Sequence, residues 1–272
     1  MGGNAFKSPD GNLLSVSIFK DEVRPTIAQV ISVLADVGID QTELLGSSGK
    51  KAESGDIDLA IGPIPPGEDP KAFKARALEA CVSAFGPEHA KLVGQNIALN
   101  VPIASSDPSR QEMRVQVDLM ISADPSKTAW LMSGTAGGPG EVKGVYRNLL
   151  LAYVAKKVGE MRGDKITISY PGGIQVMRGA EVIVPRTEDP HTIISVLGLD
   201  GTPSDLLTFD RVFDAAQGLI DLAGFEDYMA PYLSRDPEEA GKAQAAFRRK
   251  SGRDQLIETR ILRSAIRNFI RS

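Results

Sequence analysis

Two short segments constrain this chain more than any other part of it: Asp56-Ile57-Asp58-Leu59 and Val115-Gln116-Val117-Asp118-Leu119-Met120. Both alternate polar and apolar residues, which is the pattern of a strand with one buried face. On the first, Asp56 and Asp58 share a side, and Ile57, Leu59 and Ile61 take the other. On the second, Arg114, Gln116, Asp118 and Met120 line one face, and Val115, Val117, Leu119 and Ile121 line the opposite one. If the two strands are neighbours, three carboxylates converge on one spot. Hard oxygen ligands of that kind suit Mg²⁺, which also takes phosphate oxygens. Two such ions roughly 3.5–4 Å apart can clamp an in-line phosphoryl displacement. The plainer alternative is a polar strand edge with no ligand.

The segment just upstream bears on that choice. Gly46-Ser47-Ser48-Gly49-Lys50-Lys51 is a glycine-serine turn expected after a helix, and it offers backbone N–H groups, a hydroxyl and two cations to a phosphate. Loop, paired aspartates and a third aspartate sixty residues after Asp58 together form a candidate nucleotidyl-transfer site.

At these residues the chain resembles the DNA polymerase beta-like nucleotidyltransferase superfamily, and most closely the palm and thumb of family X DNA polymerase. The matching residues are Gly46-Ser47, Lys50-Lys51, Glu53-Ser54, Gly55-Asp56-Ile57-Asp58 and the distant Asp118, with a loop one residue shorter. Ser133-Gly134 stands where that family has an aromatic-aromatic-Thr-Gly turn, and Thr187-Glu188-Asp189 through Leu197-Gly198-Leu199 is similar to its acidic start, helix and Leu-Gly-Leu. The likeness spans roughly residues 25–210.

The resemblance implies that Asp56, Asp58 and Asp118 hold two Mg²⁺ ions, with Mn²⁺ as a substitute. It implies that Gly46, Ser47 and Lys50 hold the β and γ phosphates of a nucleoside triphosphate, and that Ser133, Gly134 and Asn148 complete the nucleotide site. A plain surface lysine is the alternative for Lys50. The chain also departs from the family. Gln116 stands where an arginine usually precedes the third aspartate, and Leu131 and Met132 replace the paired aromatics. The base-contacting helix is displaced, so that Arg147 and Asn148 are its nearest candidates. Fewer than fifty residues precede the Gly-Ser turn, which leaves no room for an amino-terminal lyase domain or helix-hairpin-helix elements.

Charge is unevenly spread over the 272 residues, whose formal net charge is −4. Residues 242–272 hold nine Lys/Arg and two acids, a net of +7 on an otherwise acidic chain. Arg260, Arg263, Arg267 and Arg271 recur at helical spacing, while Ile257, Ile261, Ala265 and Phe269 form a packing stripe. The arginines are candidates for nucleic-acid contact; the alternative is a solvated face of a packing helix. A single cysteine, Cys81, excludes an internal disulfide and sits in an apolar context, and His89 and His191 share no ligand spacing. With no membrane-length apolar run and no secretory character in Met1-Gly2-Gly3-Asn4, a cytoplasmic protein with no membrane partner is expected.

The expected organisation is a loose arm over residues 1–15, a helix over 21–37 with Pro25 in its first turn, and a strand over 56–62. A helix over 70–85 follows, stopped by Gly86-Pro87, and then strands over 91–103 and 112–122. A glycine-rich boundary lies near 133–144, followed by a helix over 142–161 and a hairpin over 165–184 turning at Pro171-Gly172-Gly173. Helices fill most of 190–272. The fold class expected is α+β: a nucleotidyltransferase palm with a mixed sheet and helices on one face, then a mostly helical thumb-like domain. The palm and arm are assigned to 1–135 and the thumb-like domain with its basic C-terminal helix to 136–272. The activity expected is addition of nucleotides from an NTP or dNTP to a DNA or RNA 3′ end. The rivals are nucleoside monophosphate transfer to a protein or small molecule, and a non-catalytic nucleic-acid-binding module.

Overall fold

The computed structural model describes residues 5–133, 144–170 and 172–233, together with 237, 241–246 and 248. The protein is α+β, and its centre is a mixed five-stranded sheet. The strands are β2 (Gln41–Leu44), β4 (Ile57–Gly62), β5 (Ala90–Val93), β6 (Asn96–Pro102) and β7 (Arg114–Ile121), in spatial order β2-β4-β7-β6-β5. Only β4 and β7 run parallel. A short pair, β1 (Ile18–Phe19) with β3 (Glu53–Ser54), lies apart from it.

One face of this sheet builds a core. Ile57, Leu59 and Ile61 of β4, Ile97, Leu99 and Val101 of β6, and Val115, Val117 and Leu119 of β7 are buried in one cluster. The same cluster takes Val23, Ile27, Val30 and Leu34 from helix α1 (Lys20–Ala35) and Phe73, Ala77 and Cys81 from α2 (Pro70–Phe85). Each of the Val, Ile, Leu and Phe side chains among them contributes on the order of 1.5–3 kcal/mol by leaving water. Pro70 opens α2 and Gly86 closes it, as a proline at the first turn and a positive-φ glycine at the end require. Burial also pushes the Cys81 thiol up to about 12, which makes it an inert packing group.

A second buried cluster gathers residues 130–246. It is built on α4 (Gly144–Arg162), with α5 (Pro190–Leu197), α6 (Phe209–Ala215) and α7 (Leu222–Leu233). Against α4 lies a small antiparallel sheet ordered β10-β9-β8, from β8 (Lys165–Ser169), β9 (Gly173–Arg178) and β10 (Glu181–Thr187). Trp130 and Leu131 of α3 (Pro125–Leu131) pack into this second cluster, although they precede residue 135.

Four expectations need correction. Residues 91–103 are not one strand, because Gly94 at φ 59 reverses the chain and folds β5 back on β6. The expected hairpin over 165–184 gains a third strand, because a second reversal at Gly179, φ 58, returns β10 along β9. The Gly-Ser turn follows strand β2 rather than a helix. The arm is not loose over its described part: Phe6 is buried, Leu14 N–H bonds Phe6 O, and Val16 N–H bonds Arg114 O.

Candidate active site

The parallel register of β4 and β7 sets Asp58 directly beside Asp118. Asp56 stands two residues earlier on the same side, and one oxygen from each of the three lies within 4.8 Å of the others. The opposite parity of both strands is core, so these carboxylates are displayed by the sheet's own packing.

The Gly-Ser loop is fastened to this spot at several points. Leu45 N–H bonds Asp58 O at 2.9 Å, and Asp58 N–H bonds the buried Ser48 Oγ at 3.2 Å. Gly46 N–H bonds Met132 O at 3.1 Å, and Gly46 forms a parallel bridge with Ser133. Gly46 itself is left-handed, φ 59, and a Cβ there would lie 3.8 Å from Asp58 Oδ2. A side chain at position 46 would therefore stand in van der Waals contact with the carboxylate. At the other end of β4, Gly62 admits no side chain, since a Cβ would meet Ser122 O at 2.2 Å.

Electrostatics mark Asp58. Burial, and then the charges of Asp56 and Asp118, push its carboxyl up to about 7. Burial also raises Asp118, with Asp56 adding to the rise and the Gln116 amide opposing it. Gln116 Nε2 donates to both Asp118 oxygens, at 3.0 Å each. Half-buried carboxylates held this close repel one another, and a divalent cation relieves the repulsion. The donor set, three carboxylates and no nitrogen or sulfur, suits a hard ion.

No protein-family model and no curated protein matches this chain.

Two cavities flank the loop. The first, about 340 Å³, is lined by Gly46, Ser47, Lys51, Asp58, Met132, Asn148 and Tyr170 among others. The second, about 800 Å³, is lined by Lys20, Asp21, Arg24, Ser48, Gly49 and Lys50 with apolar neighbours. Of the expected phosphate-binding residues, Gly46 and Ser47 thus line the smaller cleft beside Asp58. Lys50 lines the larger cavity instead, with its Nζ on Gly46 O at 3.1 Å, and Lys51 lines the cleft. Burial lowers the pKa of Lys50.

Asn148 lines the cleft, its Oδ1 accepts from Arg147 Nη1 at 3.1 Å, and its amide N–H groups have no partner among the described residues. The Ser133 hydroxyl donates to Leu207 O at 3.1 Å and is buried. Arg147 lines neither of these two cavities. It is wholly buried, its guanidinium lies 4.6 Å from the Trp130 ring, and it bonds Leu206 O at 2.7 Å and Leu131 O at 3.1 Å. Burial lowers its pKa to about 10. It ties α3, α4 and the 203–206 turn together, and the expectation that it contacts a base is corrected accordingly. Gly134 and the arginines 260, 263, 267 and 271 lie outside the described residues.

Several residues of the site escaped the sequence. Lys20 and Arg24 sit four apart on one side of α1, with no side-chain hydrogen bond or ion pair among the described residues. Their spacing was visible, but their aim at a loop twenty-odd residues away was not. Tyr170 is fixed in the cleft by its hydroxyl bond to Asn148 O at 2.8 Å. Nothing in its local sequence signals that position.

Proposed function

We propose that this protein is a divalent-metal-dependent nucleotidyltransferase. It would transfer nucleotides from an NTP or dNTP to the 3′ end of a nucleic acid, on a palm-like sheet followed by a thumb-like half. The observation that carries the reading is the register pairing of Asp58 with Asp118, which gathers three carboxylates within 4.8 Å beside a glycine-serine loop.

Asp56, Asp58 and Asp118 would hold two Mg²⁺ ions, or Mn²⁺. Bound there, the metal supplies Lewis acidity at the phosphates and lowers the pKa of an attacking hydroxyl. The chain's own residues do the rest. Ser47 and Lys51, which line the smaller cleft, hold phosphate oxygens, and Lys20, Arg24 and Lys50 bring positive charge to the other side of the same loop. Met132 and Tyr170 offer apolar walls to a nucleoside, and the Asn148 amide offers it a donor. The acceptor hydroxyl releases its proton to solvent, its oxygen bonds the α-phosphorus, and the bond to pyrophosphate breaks. Positioning and charge stabilisation account for most of the acceleration in such a transfer.

The test is incubation with each labelled NTP and dNTP, with Mg²⁺ or Mn²⁺, on a primed strand, a single strand, a tRNA and the protein itself. Extension of a nucleic-acid end supports the reading. Label on protein alone moves the acceptor to a polypeptide. No product on any acceptor, with nucleic acid still bound, favours the binding module.

A further inference from the structure

The N-terminal arm reaches the carboxylate cluster through a single amide side chain. Ala5 N–H donates to Gln116 Oε1 at 2.8 Å, and the other end of the same amide holds both oxygens of Asp118. An amide has one donor end and one acceptor end. With Ala5 filling the acceptor end, the donor end must face Asp118. The reversed orientation would set Gln116 Oε1 against a carboxylate and Nε2 against an N–H. At 5% exposure, Gln116 cannot exchange either partner for bulk water.

Ala5 is itself held. Lys91 Nζ donates to Ala5 O at 2.6 Å and sits 4.6 Å over the ring of Phe6, which is 3% exposed. Lys91, Ala98, Asp118 and Asp58 are register partners across β5, β6, β7 and β4. They share one face of the sheet, so the arm lies on the face that carries the carboxylates. Ser15 Oγ bonds Asn100 Oδ1 at 3.1 Å on that same face.

We propose that the arm is part of the metal site. Docking of Ala5 and Phe6 locks Gln116, Gln116 orients Asp118 for metal ligation, and arm docking and metal binding therefore favour one another. Gln116 is a positioning residue, and the arm is its lock. The inference rests on the metal-site reading above and adds a regulatory element to it.

The test is Mn²⁺ binding to the full chain, without nucleotide, followed by electron paramagnetic resonance of the free ion. Gln116→Met keeps the side chain's bulk and removes all three hydrogen bonds of the amide; Phe6→Ala loosens the arm and leaves the Gln116 side chain in place. Gln116→Met should weaken Mn²⁺ binding about 10-fold, as loss of an outer partner of a metal ligand does. Phe6→Ala should weaken it several-fold in the parent and leave it unchanged in the Gln116→Met background. Circular dichroism identifies any variant that fails to fold, and Gln116→Leu then replaces Gln116→Met. Mn²⁺ should also slow hydrogen exchange at Ala5 and Phe6 in the parent but not in Gln116→Met. If the parent binds Mn²⁺ and neither variant changes its affinity, the arm proposal fails alone. The same holds if Phe6→Ala acts equally in both backgrounds. If the parent binds no Mn²⁺, the metal site and the arm proposal fail together.

Discussion

Burial and two neighbouring carboxylates push the Asp58 carboxyl up to about 7, against an ordinary value of 3.8. The folded protein thus holds this proton more tightly than the unfolded chain does. The stability that follows is full below about 3.8 and is lost as the pH rises through about 7. In a metal-free buffer, the denaturation midpoint should fall between pH 4 and 7.5, and Asp58→Asn should flatten that fall. Divalent ions should reverse it, and their affinity should drop below pH 7 as protons compete for the oxygens. Asp118→Asn keeps an acceptor for Gln116 and removes a charge. It should leave the melting temperature within a few degrees of the parent's and lower transfer on the order of 10²-fold or more. Full activity in that variant would remove Asp118 from the site, and gross unfolding would make it a structural residue.

An ion pair helps to anchor the start of helix α1. Arg110 Nε and Nη2 bond the two Glu22 oxygens at 2.7 and 2.9 Å, both side chains are largely buried, and Arg110 stacks 4.2 Å over Phe19. Burial alone would raise the Glu22 carboxyl, but the bonds from Arg110, Ser105 and Phe19 outweigh it and hold the group at about 2. The pair's contribution is present above the ordinary value of 4.5 and is lost as the pH falls through about 2. Arg110→Ala leaves a buried carboxylate without its partner and should cost about 3–5 kcal/mol at neutral pH. Denaturant titrations at pH 7 and pH 3 should show a smaller cost in acid, where Glu22 of the variant takes up a proton. A cost below 1 kcal/mol at pH 7 would count the pair as ordinary surface charge. At the same scale, Ser48→Ala removes the acceptor of Asp58 N–H and should destabilise by about 1–3 kcal/mol. It should also loosen the loop around the cleft.

The cleft is lined by residues from both halves of the described molecule, and α3 is one of the links between the two buried clusters. Trp130 Nε1 donates to Pro203 O at 2.7 Å, the Thr128 hydroxyl to Glu188 Oε2 at 2.5 Å, and Arg147 closes α3 from the other side. The charge asymmetry also belongs to this scale. If the basic C-terminal segment contacts phosphates, replacing Arg260, Arg263, Arg267 and Arg271 by glutamine should weaken oligonucleotide binding. It should also flatten the salt dependence by about 0.7–0.9 in log–log slope per lost contact. Triphosphate affinity should not change. An unaltered salt slope would reduce the segment to a packing helix and advance a protein or small-molecule acceptor.

Local pattern determined a definite share of this protein. Period-two alternation sorted both strands into a carboxylate face and a core face, because successive residues of a strand must point oppositely. Pro70 and Gly86 bounded α2, because one lacks an N–H and the other tolerates positive φ. The tertiary structure alone decided the rest. That β4 and β7 are parallel neighbours in the register Asp58–Asp118 depends on both strands being buried between α1, α2 and the strands beside them. The placing of Lys50 and Lys51 on different cavities follows from how the loop is pinned to β4, and the burial of Arg147 from the Leu206 and Leu131 carbonyl oxygens brought to it by other segments. The arm's hold on Gln116 joins residues 111 positions apart. Contacts of that range arise when distant segments bury surface together, and the periodicity within a segment carries no record of which distant segment it will meet.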